Sequence, residues 1–559
     1  FNNTSSTSWH TTGTSTFSAG NDTLTNTAPG LIATSATTTF AFGADTGAGT
    51  KDTFTNQGTV VAGEFAGASN LVLTGLENLN NSGTIVFGSL SGSAPFVSDN
   101  ETNDRISAAT GTKFTGSAGS LFVLDATLGN STQVNCAAAS VADCLSITGG
   151  SVTGVQTLIR VNDTNTQAAT YNPTGIVLVD VNGGTSAAAN FELETGSEWY
   201  VNKPVIGPVL DKGLFFYDLV YDAANQRHLL VGVPDVEAFE FSVYGTAAQG
   251  LWYDSTQTWF DRQADLRDQI AGRSPDGSAR AAVWLKAIGS WTDRDLTQSV
   301  SILGTTYTFN VSHEQDTAGL IGGVDFLNLR DGNRAFVLGL QFGYVDSDIR
   351  FSSTATRADM NGIVAGLYGT YLSGPLFVDV IVNGNWLQLD ADIPSIPGPP
   401  TPFTSQGHID TVGGQIELGY TMALGSSGFW EPLATLSYVS ANFRDMSVPG
   451  GSVIYDDQVS FRGSLGVRLG ANADFQFYKV KLNLTGRIWD EFDGGNSSVI
   501  STGTPFAMLD DFSGVFGEVG AGLNVFSNNS GLSAFTNVSV RFQSDYQNTS
   551  VTAGFRYQW

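Results

Sequence analysis

Ser550-Val-Thr-Ala-Gly-Phe-Arg-Tyr-Gln-Trp559 is the stretch whose reading decides the fold of this chain. Apolar side chains fall on Val551, Ala553, Phe555, Tyr557 and Trp559, with Thr552, Gly554, Arg556 and Gln558 between them. Strict two-residue alternation predicts a strand with one greasy and one polar face. A soluble sandwich strand reads the same way, so the segments before it must choose.

From Ala281 to Trp559 the alternation recurs in about twelve segments, an even number, as a single-chain outer-membrane barrel requires. Phe336, Leu338, Leu340, Phe342 and Tyr344 alternate with Val337, Gly339, Gln341 and Gly343. Tyr478, Val480, Leu482, Leu484 and Ile488 alternate with polar residues, and Val538, Val540 and Phe542 do the same. Each segment runs for about ten residues or more, enough to cross a membrane at a tilt. Short Gly/Asn/Ser connections around 330–333, 373–375, 425–427 and 527–531 interleave with long ones around 291–304, 347–358, 390–407, 444–458 and 491–512. Short turns on one rim and long loops on the other fit a transmembrane barrel and are not explained by a sandwich.

Composition agrees. The chain has 559 residues, 66 of them Gly, and no apolar run of the length a membrane helix needs. Ser, Thr, Asn and Gly separate short apolar runs, which predicts an all-β protein. A net charge of −27 excludes a nucleic-acid footprint and otherwise favours solubility. Phe1 follows no charged or apolar leader, so the chain reads as processed or excised.

Residues 1–149 are Thr/Ser/Gly/Asn-rich with short apolar islands. Phe54-Thr-Asn-Gln-Gly-Thr-Val60 and Leu79-Asn-Asn-Ser-Gly-Thr-Ile85 share an Asn-x-Gly-Thr core beginning at Asn56 and Asn81, 25 residues apart. That interval predicts a solenoid with an Asn at a turn and a β-branched residue in the stacked core. From 150 to 235 the islands lengthen, notably Leu214-Phe-Phe-Tyr-Asp-Leu-Val-Tyr221, as expected of a cap that covers the last rung. Cys136 and Cys144 sit eight residues apart and suit a small loop-closing disulfide. No second Cys pair or nearby His points to a metal site, and no cofactor is expected.

After Pro234 the pattern changes. Val236 to Ile270 has no Pro and suits a helix, assigned to 236–274, with Asp254, Asp261, Asp265 and Asp268 on one face. Taken alone, that face reads as solvated.

In this order the features resemble a classical autotransporter of Gram-negative bacteria: the Asn-x-Gly-Thr repeats, Leu214–Tyr221 before a helix, Val283-Trp-Leu-Lys286, Gly362-Ile-Val-Ala-Gly-Leu-Tyr368 and Ala553-Gly-Phe-Arg-Tyr-Gln-Trp559. The resemblance implies a right-handed parallel β-helix passenger (1–149), an autochaperone junction (150–235), a pore-threading helix (236–274) and a twelve-stranded antiparallel translocator barrel (275–559). It implies that Phe555, Tyr557 and Trp559 form a signal read by the outer-membrane assembly machinery, although Phe is the commoner last residue. It also implies periplasmic chaperones, outer-membrane lipid including lipopolysaccharide, and a surface-displayed passenger with a possible host-surface ligand. Some relatives cut themselves after an Asn in the helix; 236–270 has no Asn, so an uncleaved passenger is expected, with cleavage at one of the helix Asp residues as the alternative.

On that frame, Arg468, Lys479, Lys481, Arg487, Arg541 and Arg556 are expected on the lumen wall, holding the four helix aspartates and sealing the pore. No Gly-Asp-Ser-Gly, Gly-x-Ser-x-Gly or Gly-x-x-x-x-Gly-Lys-[Ser/Thr] setting occurs, so no enzyme or nucleotide site is expected. An adhesin-like passenger fits the composition; a diffusion porin, or an enzymatic passenger with its active site upstream, is the alternative.

Overall fold

The computed structural model describes the chain apart from residues 5–7, 45–50, 64–66, 89–98, 110, 138–139, 257–280, 332–333, 395–401 and 457.

The N-terminal region is a parallel β-solenoid. One face is a six-stranded sheet in the order Asn2–Asn3, Thr23–Asn26, Thr53–Asn56, Asn78–Asn81, Lys113–Gly116 and Ser151–Gly154. Its inward residues stack in register as Leu24, Phe54, Leu79, Phe114 and Val152. Ile32, Val60, Ile85, Phe122 and Ile159 form a second column from the neighbouring face. All ten side chains are buried, each contributing roughly 1.5–3 kcal/mol. Like residues recur because each rung must hand the same shape to the next. At the turn, Asn3 Nδ2 donates to Asn26 Oδ1 (2.9 Å), Asn26 Nδ2 to Asn56 Oδ1 (2.9 Å) and Asn56 Nδ2 to Asn81 Oδ1 (2.8 Å). The ladder has four rungs where the sequence displayed two.

The solenoid ends by changing sheet sense. Asn172–Asn182 pairs parallel with Cys144–Thr148 on one side and antiparallel with Arg227–Pro234 on the other. Phe215–Asp222, Gly207–Asp211 and Tyr200–Lys203 continue antiparallel. These hairpins cover an edge that parallel pairing alone would leave open.

Twelve antiparallel strands then close a barrel: β1 (Ala282–Arg294), β2 (His313–Asp331), β3 (Arg334–Phe351), β4 (Arg357–Ser373), β5 (Leu376–Ile393), β6 (Phe403–Tyr420), β7 (Gly428–Phe443), β8 (Gln458–Asp474), β9 (Tyr478–Asp493), β10 (Gly514–Ser527), β11 (Leu532–Phe542) and β12 (Tyr546–Gln558). The seam joins β1 to β12 in unbroken register from Ala282↔Gln558 to Arg294↔Tyr546. Along β3, alternate residues are buried and exposed, with Leu340, Phe342 and Tyr344 outside and Val337 and Gln341 inside. Leu367, Val382, Leu436, Leu465, Leu484, Val519 and Phe555 extend this apolar outer band. A belt of that kind belongs in lipid. Among the described residues no helix is long and apolar enough to cross a membrane.

The rims follow the expected asymmetry with one exception, the connection 543–545, and one further short turn. Phe475-Gln-Phe477 makes an apolar turn on the short-turn side, and 543–545 make a short connection on the long-loop side. Three of the long loops carry strands of their own. The β1–β2 loop carries a hairpin, Thr297–Ile302 with Thr305–Asn310, and the β7–β8 and β9–β10 loops together build a four-stranded sheet. Both meet the solenoid cap: Tyr307 Oη donates to Asp218 (2.6 Å), and the Phe506 ring lies 4.9 Å from Tyr171 and 5.4 Å from Phe239.

Candidate functional site

The site is the barrel lumen and the helix that fills it. Asp235 starts that helix by accepting a hydrogen bond from the Val236 amide (2.8 Å), an N-cap reinforced by Lys203, whose Nζ lies 2.6 Å from both Asp235 and Asp211. Val236–Glu240 is α-helical, Phe241–Val243 tightens to a 3-10 turn, and 244–256 continues as helix.

No side of this helix is solvated. Phe239, Phe241, Tyr244, Leu251, Trp252 and Tyr253 are all buried, so the described part does not present a solvated face, as the helix taken alone would. The wall grips it all round. Glu240 bonds Thr354, and Tyr455 Oη donates to the Phe241 carbonyl (2.9 Å). Gln249 donates to Asn496 (2.9 Å), and Gln315 donates to the Ala247 carbonyl (3.2 Å). Trp252 Nε1 donates to the Asn383 carbonyl (3.0 Å), and the Arg462 guanidinium stacks 3.4 Å from the Tyr253 ring centre. At the end of the described helix, Asn383 donates to Ser255 (3.2 Å) and Thr256 (3.1 Å), and Lys286 donates to the Ser255 carbonyl (3.3 Å). The gap left beside Tyr253 and Asp254 has a volume of about 30 Å³, room for only one or two waters.

Of the four helix aspartates, Asp254 reaches Arg541 (3.4 Å); Asp261, Asp265 and Asp268 lie outside the described residues. The basic wall is mostly matched by acids of the barrel itself. Arg468 pairs with Glu431 (3.0 Å), Arg487 with Glu417 (2.7 Å), and Arg556 with Asp325 (2.9 Å). Arg541 also approaches Glu518 (3.7 Å), Lys481 sits over the Phe429 ring (4.3 Å), and Lys479 lies half-buried near the Phe475–Phe477 turn. Arg541 is thus the expected wall cation that meets the described helix, while Arg462 and Lys286, which also touch it, were not anticipated. The wall acids alternate along their strands as the bases do. In the pairs of Arg468, Arg487 and Arg556 the partners lie from 37 to 231 positions apart, so the pairing needed the register.

Phe555 and Tyr557 face outward opposite Leu285 and Val283 across the seam, and Trp559 ends beside them, stacked on Tyr557 with centroids 6.2 Å apart. All three are about half exposed.

In the solenoid, Cys136 and Cys144 are joined by a disulfide. Beside that loop lies a buried acidic cluster. Asp143 accepts the backbone amides of Asp104 (2.9 Å) and Asp125 (2.8 Å), and Asp104 accepts that of Ser69 (2.9 Å). Burial, then the charges of Asp99, Glu101 and Asp125, push the Asp104 carboxyl up to about 8; burial and Asp104 likewise raise Asp143. The folded state therefore holds protons that the unfolded chain releases near pH 4. Stability from this cluster is complete below about pH 4 and falls as pH rises toward 8. Asp104→Asn keeps the Ser69 acceptor and removes the titration, so it should stabilise the solenoid at pH 8 by about 1–3 kcal/mol and flatten the slope between pH 4 and 8. Chemical denaturation across that range, followed by solenoid proteolysis, measures it; an unchanged slope contradicts the assignment.

Comparison with known proteins follows this geometry. A family model described as the autotransporter beta-domain matches residues 283–539, and one described as autochaperone domain type 1 matches 74–197, on both sides of the expected boundary at 150. Autotransporter CRAC of Citrobacter rodentium is 26% identical over 185 residues, 33% of this chain and 11% of that protein, so the match spans about a tenth of the relative's length. Among solved structures, the beta domain of the Bordetella autotransporter BrkA is 17% identical, with 50% of this chain and 98% of that one covered and a TM-score of 0.37. The transport unit of AIDA-I from Escherichia coli is 15% identical, with 54% and 97% covered and a TM-score of 0.37.

Proposed function

The chain belongs to the classical autotransporters, and on that premise we propose that its outer-membrane barrel exports the solenoid and then displays it, uncleaved, on the cell surface. One observation carries this reading: the solenoid cap runs directly into a helix that is ringed by lumen side chains from Glu240 to Thr256. A chain that had passed outward through the pore would come to rest in this arrangement. The filled lumen argues against an open diffusion porin. The displayed solenoid acts as an adhesin-like surface with a host-surface ligand rather than as an enzyme; its Thr/Asn-rich composition supports this.

Protease added to intact cells, followed by mass analysis, tests the topology. Solenoid fragments should be released or trimmed without outer-membrane permeabilisation, and the barrel strands should survive. Before digestion, solenoid and barrel should run as one polypeptide. Cleavage of the solenoid only after permeabilisation would place it in the periplasm and sink the proposal.

Assembly is proposed to depend on periplasmic chaperones and the barrel-assembly machinery, which reads Phe555, Tyr557 and Trp559, and on outer-membrane lipid including lipopolysaccharide. Deleting Trp559 removes an exposed ring that makes few contacts within the chain. Barrel stability once folded should barely change, while the fraction inserted in cells should drop about tenfold, read as the heat-modifiable band on cold electrophoresis. Normal insertion would remove Trp559 from the signal.

A further inference from the structure

We infer that Arg556 and Asp325 form a latch that sets the register in which the barrel closes. Arg556 lies on β12, three residues from the chain end; Asp325 lies on β2, 231 positions earlier. The two are not on neighbouring strands, because β1 stands between them. Even so, Arg556 Nε and Nη2 both donate to Asp325 Oδ2, at 3.0 and 2.9 Å, and each residue is only 1% exposed. The second carboxylate oxygen accepts from Tyr368 Oη of β4 (2.5 Å), which in turn accepts from Trp284 Nε1 of β1 (2.7 Å).

Glycine makes this reach possible. A Cβ at Gly323 on β2 would sit 2.4 Å from the Trp284 ring, and one at Gly339 on β3 would sit 2.1 Å from the Tyr368 ring. With those side chains absent, both rings lie flat on the wall and the network crosses from β12 to β4. It sits at the short-turn end of the lumen, close to the last residues of the seam.

The seam is the joint whose two strands lie farthest apart in sequence, and backbone pairing alone leaves alternative registers open. A slip by one residue would turn Arg556 toward lipid. A slip by two would keep it inside but carry it about 7 Å along the strand, away from Asp325. Either error leaves a buried charge without its partner, which is strongly unfavourable. The native register alone satisfies both groups, so the pair selects it at closure.

The test uses the full chain and separates the latch from recognition of the terminal strand, because Asp325 lies far outside that strand. Asp325→Asn should lower the heat-modifiable fraction after a short chase by about tenfold. Cysteines at Ala287 and Ala553, opposite each other outside the native seam, should cross-link less in this background. Cysteines at Gly289 and Ala553, which report a two-residue slip, should cross-link more. Asp325→Asn combined with Arg556→Gln should recover most of the folded fraction and the native cross-link, since neither charge of this pair is then left facing the other's absence. The inference is overturned if Asp325→Asn matches the parent in both readouts. It is equally overturned if Arg556→Gln is impaired while Asp325→Asn is not, which assigns the effect to the terminal strand, or if the double variant stays as poor as the single, which makes the loss one of packing.

Discussion

Trp252→Ala should open the pore. In the parent, Trp252 is fully buried between the helix and the wall, donates to the Asn383 carbonyl at 3.0 Å, and packs with Tyr253 and Val439. Its ring lies on Gly413 of β6, where a Cβ would come within 2.6 Å of it. Truncating a buried Trp costs about 3–5 kcal/mol, and here nearly all of that loss falls on the docking of the helix. Phe239, Phe241, Tyr244, Leu251 and Tyr253 stay packed, whereas the polar contacts of the described helix, single hydrogen bonds and the Asp254–Arg541 pair, are each worth about 1 kcal/mol net, because both partners lose water when they meet. In planar bilayers the parent should stay closed, whereas Trp252→Ala should show frequent long openings with an unchanged heat-modifiable barrel. Gly413→Val attacks the same contact from the wall by filling the space under the ring, and should give the same openings. If both variants are as silent as the parent, the seal lies elsewhere.

That expectation came from the lumen geometry, and the sequence shows why it could not come earlier. The barrel is legible because alternation is local: Val551 to Trp559 carry their own inside and outside. The helix is legible as a helix from its own residues, but its burial is legible only through the order of the features around it. Small residues such as Gly245, Ala247 and Ala248, mixed with Asp and Gln, look like a surface helix until a polar wall is placed around them. The Phe475-Gln-Phe477 turn escaped because turns are recognised by Gly, Asn and Ser, and this one is apolar. The asparagine ladder was half visible for a similar reason. Its intervals of 23, 30 and 25 residues absorb loops of unequal length, so only Asn56 and Asn81 keep a shared flanking sequence. Charge pairing across the wall was hidden altogether. Arg487 and Glu417 meet at 2.7 Å although β9 and β6 are three strands apart, because both side chains point into the lumen.

The solenoid cap offers the other large effect, and it tests whether the cap stabilises what the barrel exports. Lys212 and Asp163 form an ion pair at 2.5 Å with side chains 0% and 1% exposed. The ammonium also donates to the Asn165 carbonyl, while Asp163 accepts from the Leu128 amide (3.1 Å) and from Trp199 Nε1 (3.1 Å). Lys212→Met keeps the apolar stem but strands the carboxylate, at a cost of about 3–5 kcal/mol. Against the ~5–15 kcal/mol that holds a typical domain folded, this is enough to unfold the end of the solenoid in a sizeable fraction of molecules. The barrel does not share the contact, so its heat-modifiability should be unaffected, while the surface solenoid should be digested about tenfold faster. Adding Asp163→Asn removes the stranded charge and should restore part of the resistance, because the asparagine Oδ1 still accepts from the Leu128 amide, while the bond from Trp199 Nε1 is lost. That recovery separates electrostatic stranding from a packing fault. If Lys212→Met leaves the solenoid as resistant as the parent, residues 150–235 do not stabilise it, and the force that draws the passenger outward must arise in rungs nearer the N-terminus.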